Sequence, residues 1–400
     1  MTRTIASGVP SHPAATSDID LREGIRDAVL VFLAVRIALF VISAIAAHGL
    51  LPIPPGQPAG DSGFPPPDLE GGWHVLFTGT QRQDALWYLR LATEGYAPGD
   101  PSAAFFPLYP WLVRAVAVLP GIGPLAGGLL VANAAFLGAL IVLHGLTRLE
   151  FRGDHAMARR ALRYLAIFPT AFFFLAPYTE SLFLFLSLLA FWWARRDRWA
   201  FAGAAAALAA LSRSVGVVLA LALAVEALHQ WRRQGRPLLP RLAAAAATCL
   251  GPLAWFVWWQ VRFDDFWAPL DAQRNWDRGT TAPWETVADA AGHAWRFGAY
   301  WLLDLAVVLL AIAGIVLTIR RVRPAYLAYA GASLMLPLLA PYPDRPLLSM
   351  PRFVLVLFPV AWGYADAVAR RWIPDALVTA VFAGGFGLTA ALFVAWQYVF

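Results

Sequence analysis

Nearly continuous apolar runs recur from one end of this chain to the other, many of them close to the ~20 residues that cross a bilayer as helix. Ala28–Ala47, Leu302–Ile319 and Ala376–Phe393 carry at most one charged residue each. In hydrocarbon every backbone N–H and C=O must be paired within the protein, so such segments form helices or a closed barrel. The runs lack the short alternating stretches of barrel strands, which leaves an all-α polytopic membrane protein. Composition agrees. The 400 residues are 60% hydrophobic and 14% charged, whereas soluble domains carry about 25% charged residues. Residues 1–20 are mostly polar, and the apolar run after them is too long for a cleaved signal peptide, so it is expected to stay as a first helix.

Apolar runs fall at about 25–49, 105–119, 124–147, 161–176, 178–194, 199–212, 214–230, 241–261, 299–319, 324–340, 352–369 and 375–398. Arginine decides which of them cross, because cytoplasmic loops are enriched in Arg and Lys. All 31 basic residues are Arg. With the tracts Ala204–Ala207 and Ala243–Ala247, this points to a GC-rich bacterial genome. The clusters are Arg22/Arg26, Arg148–Arg163, Arg195–Arg198, Arg232–Arg241, Arg320–Arg323 and Arg370/Arg371. They share one side only if Phe105–Leu119, interrupted by Pro107 and Pro110 and carrying Arg114, lies along the outer interface.

The expectation is therefore a cytoplasmic tail over 1–24 and a single transmembrane domain over 25–398 with about eleven spans. Two long external segments result, about 50–123 and 262–298. The first opens on the Pro/Gly-rich, irregular stretch Leu51–Gly72 and carries interfacial helices. The second holds Trp267, Trp276, Trp284 and Trp295. The net charge of +6 is no nucleic-acid signal, because the arginines sit in short clusters between spans. Cys249, alone in an apolar run, is read as a small buried apolar residue, and no disulfide framework exists.

The chemistry-bearing residues fall on the external side of this arrangement. In Gln-Arg-Gln-Asp-Ala-Leu-Trp-Tyr-Leu-Arg, helical spacing puts Asp84, Trp87, Tyr88 and Leu91 on one face. That places an acid beside aromatic rings, suited to a sugar hydroxyl or a lipid headgroup. Asp84 is either a general base or an interfacial acid paired with Arg82 or Arg90. Arg213 and Arg352 each stand at a turn between two apolar runs without a flanking charge. Such arginines are costly and mark function, or they snorkel to phospholipid headgroups. Their guanidinium forks match phosphate oxygens. Arg36, inside the first span, reads as a snorkel. Glu180 opens a span, where an acid also suits the helix dipole. Tyr109, Tyr178, Asp304 and Asp344 are further polar groups on that side. His74 and His293 are too solitary for a metal site. No metal or cofactor is expected, and neither a glycine-rich phosphate loop nor a nucleophile elbow occurs.

Three segments together resemble one family. They are Asp84-Ala-Leu-Trp-Tyr-Leu-Arg-Leu-Ala-Thr-Glu-Gly-Tyr96 followed by Phe105-Phe-Pro-Leu-Tyr-Pro110; Phe168-Pro-Thr-Ala-Phe-Phe-Phe-Leu-Ala-Pro-Tyr-Thr-Glu-Ser-Leu-Phe183; and Ala210-Leu-Ser-Arg-Ser-Val-Gly216. In this order they resemble the PIG-V-like mannosyltransferases of the GT-C class. The resemblance runs from about residue 25 to 370, most specifically over 84–216. It implies a GT-C-like bundle in which an acid of the first external loop, here Asp84, is the catalytic base. It implies a polyprenyl- or dolichyl-phosphate sugar donor and raises Glu180, Arg213 and, more weakly, Arg352. Gln83 stands where the family often has Trp.

The resulting expectation is a multi-pass cell-membrane glycosyltransferase acting on the extracytoplasmic face. It would move a hexose, mannose by the resemblance, from a polyprenyl-phosphate carrier to a hydroxyl of a glycan, glycolipid or protein acceptor, with inversion. Asp84 and Glu180 are the catalytic candidates. Arg213 and Arg352 would bind the donor phosphate, and Trp87, Tyr88, Tyr109 and Tyr178 would contact substrate. A GT-C enzyme for another lipid-linked sugar, such as arabinose, and a lipid or solute transporter are the alternatives. A transporter usually shows repeat symmetry, which the sequence lacks.

Overall fold

In a computed structural model, residues 18–46, 75–273, 279–395 and 397 are described. Residues 1–17 of the tail, Leu51–Gly72, His74 and Trp276 lie outside the described residues. Among the described residues the chain is helical throughout, with no strand. Six of the described helical segments are long and apolar enough to cross a membrane. They belong to α1 (Asp18–Ile45), the long α5 (Pro124–Glu150), α9 (Val218–Gln234), the pair α10 (Leu239–Ala246) and α11 (Leu250–Phe263), α14 (Ala299–Thr318) and α18 (Asp375–Val394).

Shorter helices fill the remainder of the bundle: α6 (His155–Ala166), α7 (Glu180–Arg195), α8 (Trp199–Ser212), α15 (Pro324–Leu338), α16 (Met350–Leu355) and α17 (Pro359–Ala369). Between α1 and α5 lie α2 (Val75–Thr78), α3 (Asp84–Thr93) and α4 (Leu108–Ala117). Between α11 and α14 lie α12 (Ala268–Asp271) and α13 (Pro283–Phe297). The outer faces are apolar: Leu30, Ile37 and Val41 of α1, Leu253 and Val257 of α11 and Leu388 of α18 are all exposed. A helix bundle that is greasy outside as well as inside belongs in lipid. The protein is a multi-pass membrane protein.

Proline explains where the apolar runs and the helices part company. The run expected over 161–176 is helical only to Ala166, and from there to Thr179 the chain is irregular apart from a 3-10 turn over Ala171–Phe174. Pro169 and Pro177 remove donors and disfavour helix in the residues before them. Irregular backbone at this depth survives only where protein satisfies it. Three helices supply the partners. Arg36 of α1 donates to the Leu175 carbonyl at 2.9 Å and Asn133 of α5 donates to it at 3.3 Å, while Thr389 of α18 donates to the Pro169 carbonyl. Arg36 is thus an internal backbone partner and not a headgroup snorkel. The run at 352–369 is likewise broken, between α16 and α17, where Pro359 starts a new helix. At ten residues, α4 reaches only about 15 Å, half the hydrocarbon thickness, in keeping with a helix that does not cross.

Ion pairs identify one end of the bundle. Arg195 and Arg323 pair with Glu150, Arg323 and Arg195 with Glu226, Arg236 and Arg241 with Asp197, and Arg321 and Arg370 with Asp366. Arginine clusters that are far apart in sequence therefore gather at a single end. Cys249 departs from expectation: it is exposed on the outside of the α10–α11 segment, where an apolar surface suits a thiol as well as a core does.

Candidate functional site

At the other end, helix starts and turns bring two carboxylates and two guanidiniums together. Asp84 is the first residue of α3 and Glu180 the first of α7, so each sits where unpaired N–H groups and the helix dipole favour negative charge. Arg213 occupies the extended joint between α8 and the following 3-10 turn, and Arg352 lies in α16. The two segments that begin with Asp84 and lead to Arg352 are both entered through a non-glycine residue at positive φ, Gln83 at 49° and Ser349 at 67°. Such conformations persist only where surrounding contacts enforce them and concentrate at functional sites.

Those contacts are visible. Arg82 is buried, donating to the Gln81 carbonyl at 3.0 Å and to Val394 of α18 at 3.3 Å. Tyr178 donates to the Arg82 carbonyl at 2.7 Å, which ties the approach to Asp84 to the approach to Glu180. Thr170 donates to the Pro351 carbonyl at 3.0 Å and so links the irregular stretch to α16.

Arg352 joins the two acids. Its Nη1 lies 2.5 Å from Asp84 Oδ2, and its Nε donates to Glu180 Oε1 at 2.8 Å. Arg213 Nη1 is 2.5 Å from the same Glu180 oxygen and donates to Thr179 Oγ1 at 3.1 Å. The Arg352 guanidinium also lies 4.8 Å from the centre of the Tyr178 ring, within cation–π range. Burial separates the two acids. The Glu180 side chain is 0% exposed and Asp84 34%. Two positive and two negative charges balance, with Asp84 the one acid open to a neighbour.

The open side of the cluster is a cavity of about 130 Å³, lined by Asp84, Tyr88, Arg213 and Arg352 together with Phe105, Phe106, Ser212, Ser214, Gln273, Ser349 and Phe353. Its Phe105–Phe106 wall is anchored by Trp255 of α11, which donates to the Ala103 carbonyl at 3.2 Å. The four residues singled out for catalysis and phosphate binding therefore converge, and Arg213 and Arg352, solitary in sequence, are paired in space. Asp84 pairs with Arg352 and with neither Arg82 nor Arg90; Arg90 pairs with Glu94 and Asp100.

The aromatic candidates divide. Tyr88 lines the cavity, whereas Trp87 stacks behind it on Phe105 at 5.2 Å. Tyr109 and Tyr178 are fully buried and donate their hydroxyls to the Gly128 and Arg82 carbonyls, so they brace the wall. Trp267, Trp284 and Trp295 are exposed and do not line the cavity, a placement suited to anchoring at a membrane interface. Asp304 is buried in a pair with Arg345, and the Asp344 carbonyl accepts from Trp301. Gln273 escaped the sequence reading because nothing local marks a residue that reaches the site by tertiary folding. Ser349 and Phe353 come in beside Arg352, and Ser212 and Ser214 flank Arg213 in one of the recognised segments.

In fold, the protein is similar to the crystal structure of ArnT from Cupriavidus metallidurans in the apo state. Identity is 18% over 87% of this chain and 60% of that one, with a TM-score of 0.50. The chain thus spans about 60% of that structure's length. The apo oligosaccharyltransferase of Archaeoglobus fulgidus is also matched, at 17% identity and a TM-score of 0.41 over 91% of this chain and 54% of that one. The likeness to the first of these is one of fold, a GT-C-like helical membrane bundle. The sequence matches the mannosyltransferase (PIG-V) family over residues 29–234, more than half of its length, and the chain belongs to that family. Asp84, Glu180 and Arg213 lie inside the matched region, and Arg352 lies beyond it. No curated protein shows a sequence match.

Proposed function

We propose that the protein transfers a hexose, mannose by family, from a polyprenyl-phosphate carrier to an acceptor hydroxyl, with inversion at the anomeric carbon. The observation that carries this is the cavity at which a partly exposed Asp84 stands beside two guanidiniums, in a member of a mannosyltransferase family. The acceptor oxygen attacks C1 of the sugar as the C1–O bond to phosphate breaks, and the bonding pair leaves with the phosphate. Asp84 takes the proton of the attacking hydroxyl. Arg213 and Arg352 meet the negative charge that gathers on the leaving phosphate.

Glu180 has a different part. Buried and held by both arginines, it fits a positioning residue that fixes the two forks, while Asp84 alone has the exposure a proton acceptor needs. With about eleven crossings, the arginine-rich end faces the cytoplasm and the cavity faces the opposite side. A glycan, glycolipid or protein could supply the acceptor hydroxyl. The direct test is to incubate purified protein with a panel of polyprenyl-phosphate sugars and measure release of polyprenyl phosphate. Release from the mannosyl donor in preference to the others is expected. Release from the arabinosyl donor alone would reassign the sugar, and release from none would remove the assignment of a lipid-phosphate donor.

A further inference from the structure

We propose that Asp27, His144 and His155 form a binding site for one divalent transition-metal ion of the zinc type, near the arginine-rich end and separate from the acid–arginine cavity. One donor atom from each residue lies within 4.8 Å of the other two. The three come from α1, α5 and α6, so the group closes a junction of three helices. His155 is the first residue of α6, fixed there by Asp154, whose carboxylate caps the helix at Met157 N, 2.9 Å away.

The ordinary reading of such a group is a His–Asp hydrogen bond, and His155 Nε2 does lie 3.1 Å from Asp27 Oδ2. That contact leaves Asp27 Oδ2 and His155 Nδ1 buried without a hydrogen-bond partner, and it leaves the third residue out. His144 is 2% exposed, and its Nε2 is buried without a hydrogen-bond partner. A lone buried imidazole nitrogen in a membrane helix is costly unless something binds it. The ring is held close against α1, since a Cβ at Gly24 would come within 2.7 Å of His144 Nδ1.

Bond lengths fit as well. Metal–donor bonds of about 2.0–2.2 Å in a tetrahedron set donors roughly 3.4 Å apart, so the 3.1 Å spacing of His155 and Asp27 needs little change, with small shifts bringing in His144. Behind His155, Glu23 Oε2 stands 3.8 Å from Nδ1, the side on which a carboxylate commonly supports a ligating imidazole. Two imidazoles and one carboxylate suit Zn²⁺ and its neighbours better than Mg²⁺ or Ca²⁺, which prefer oxygen alone. Arg26 and Arg159 lie 3.5 and 3.7 Å from the Asp27 carboxylate. Both have largely exposed side chains, free to swing away when a cation enters. The ion would clasp α1 to α5 and α6, and its binding is independent of the transferase reading.

The test uses full-length protein purified without a histidine tag, stripped with EDTA, and titrated with ZnCl₂ and separately with CoCl₂. One Zn²⁺ per chain, a rise in Tm on binding, and visible Co²⁺ absorption of a low-coordinate nitrogen–oxygen site are expected. Asp27→Asn and His155→Gln should each weaken Zn²⁺ at least about tenfold and cancel the rise in Tm. His293→Gln, changing a half-buried histidine elsewhere, should alter neither. Absence of saturable Zn²⁺ binding to the wild-type protein overturns the site, as does undiminished binding in both ligand variants. The Co²⁺ spectrum is read on wild-type protein and so does not depend on a variant folding.

Discussion

Glu180 is the residue around which the site is assembled: a fully buried carboxylate whose one oxygen binds both arginines. Removing one partner of such a buried pair strands the other and costs about 3–5 kcal/mol. Arg352→Ala is therefore expected to lower Tm as well as activity, and a loss of activity in that variant alone would say little. Arg352→Lys and Arg213→Lys keep the charge but lose the fork. Both should fold with near-wild-type Tm and show a KM for the lipid-phosphate donor raised roughly tenfold or more. Unchanged donor kinetics in both would reduce these arginines to structural counterions of Glu180. Glu180→Gln, which keeps shape but loses the charge that orients both forks, should affect donor KM more than the ionisation of the base, leaving the pH profile in place. The four residues were legible in sequence as types out of place in a membrane chain. Their pairing was not, because 172 positions separate Glu180 from Arg352, and no local pattern reports so distant a contact.

Helices come together in this bundle where glycine permits it. A Cβ at Gly363 of α17 would lie 2.0 Å from the Gly314 carbonyl of α14, and one at Gly216 would lie 2.4 Å from Ala210 Cα. Close approach of this kind is the usual basis of helix association in lipid. Gly363→Leu should separate α14 from α17 and destabilise the fold by about 1–3 kcal/mol, seen as a lower Tm at a distance from the cavity. Gly216→Ala acts in the turn after Arg213, so it should weaken donor use beyond what its change in Tm explains. Equal losses of stability and activity in the two variants would mean that the turn does not position Arg213. At this scale the sequence was informative about elements that cross as single apolar helices, such as α1, α5, α14 and α18. It was less informative about the breaks after Ala166 and Leu355. Pro169, Pro177 and Pro359 stand there in the sequence, but whether a proline ends a helix or only kinks it depends on partners for the freed carbonyls, and at the first break these are the distant Asn133 and Thr389.

For the molecule as a whole, the gathering of arginines at one end and the cavity at the other makes a statement about sidedness. In a Cys249→Ala background, cysteines at Ala156 and Gln234, both exposed at the arginine-rich end, should resist an impermeant thiol reagent applied to intact cells. A cysteine at the exposed Thr280 should react. Labelling of Ala156 or Gln234 from outside would put the cavity on the cytoplasmic face. The central claim is that Asp84 is the base of a glycosyl transfer, and the most direct measurement is single-turnover transfer from polyprenyl-phosphate mannose by Asp84→Asn, with donor binding measured in parallel. The substitution keeps size and most hydrogen bonding but cannot accept the proton. Transfer should fall by at least about a hundredfold, with donor binding and Tm near those of the wild-type protein. Transfer at the wild-type rate in Asp84→Asn would contradict the account.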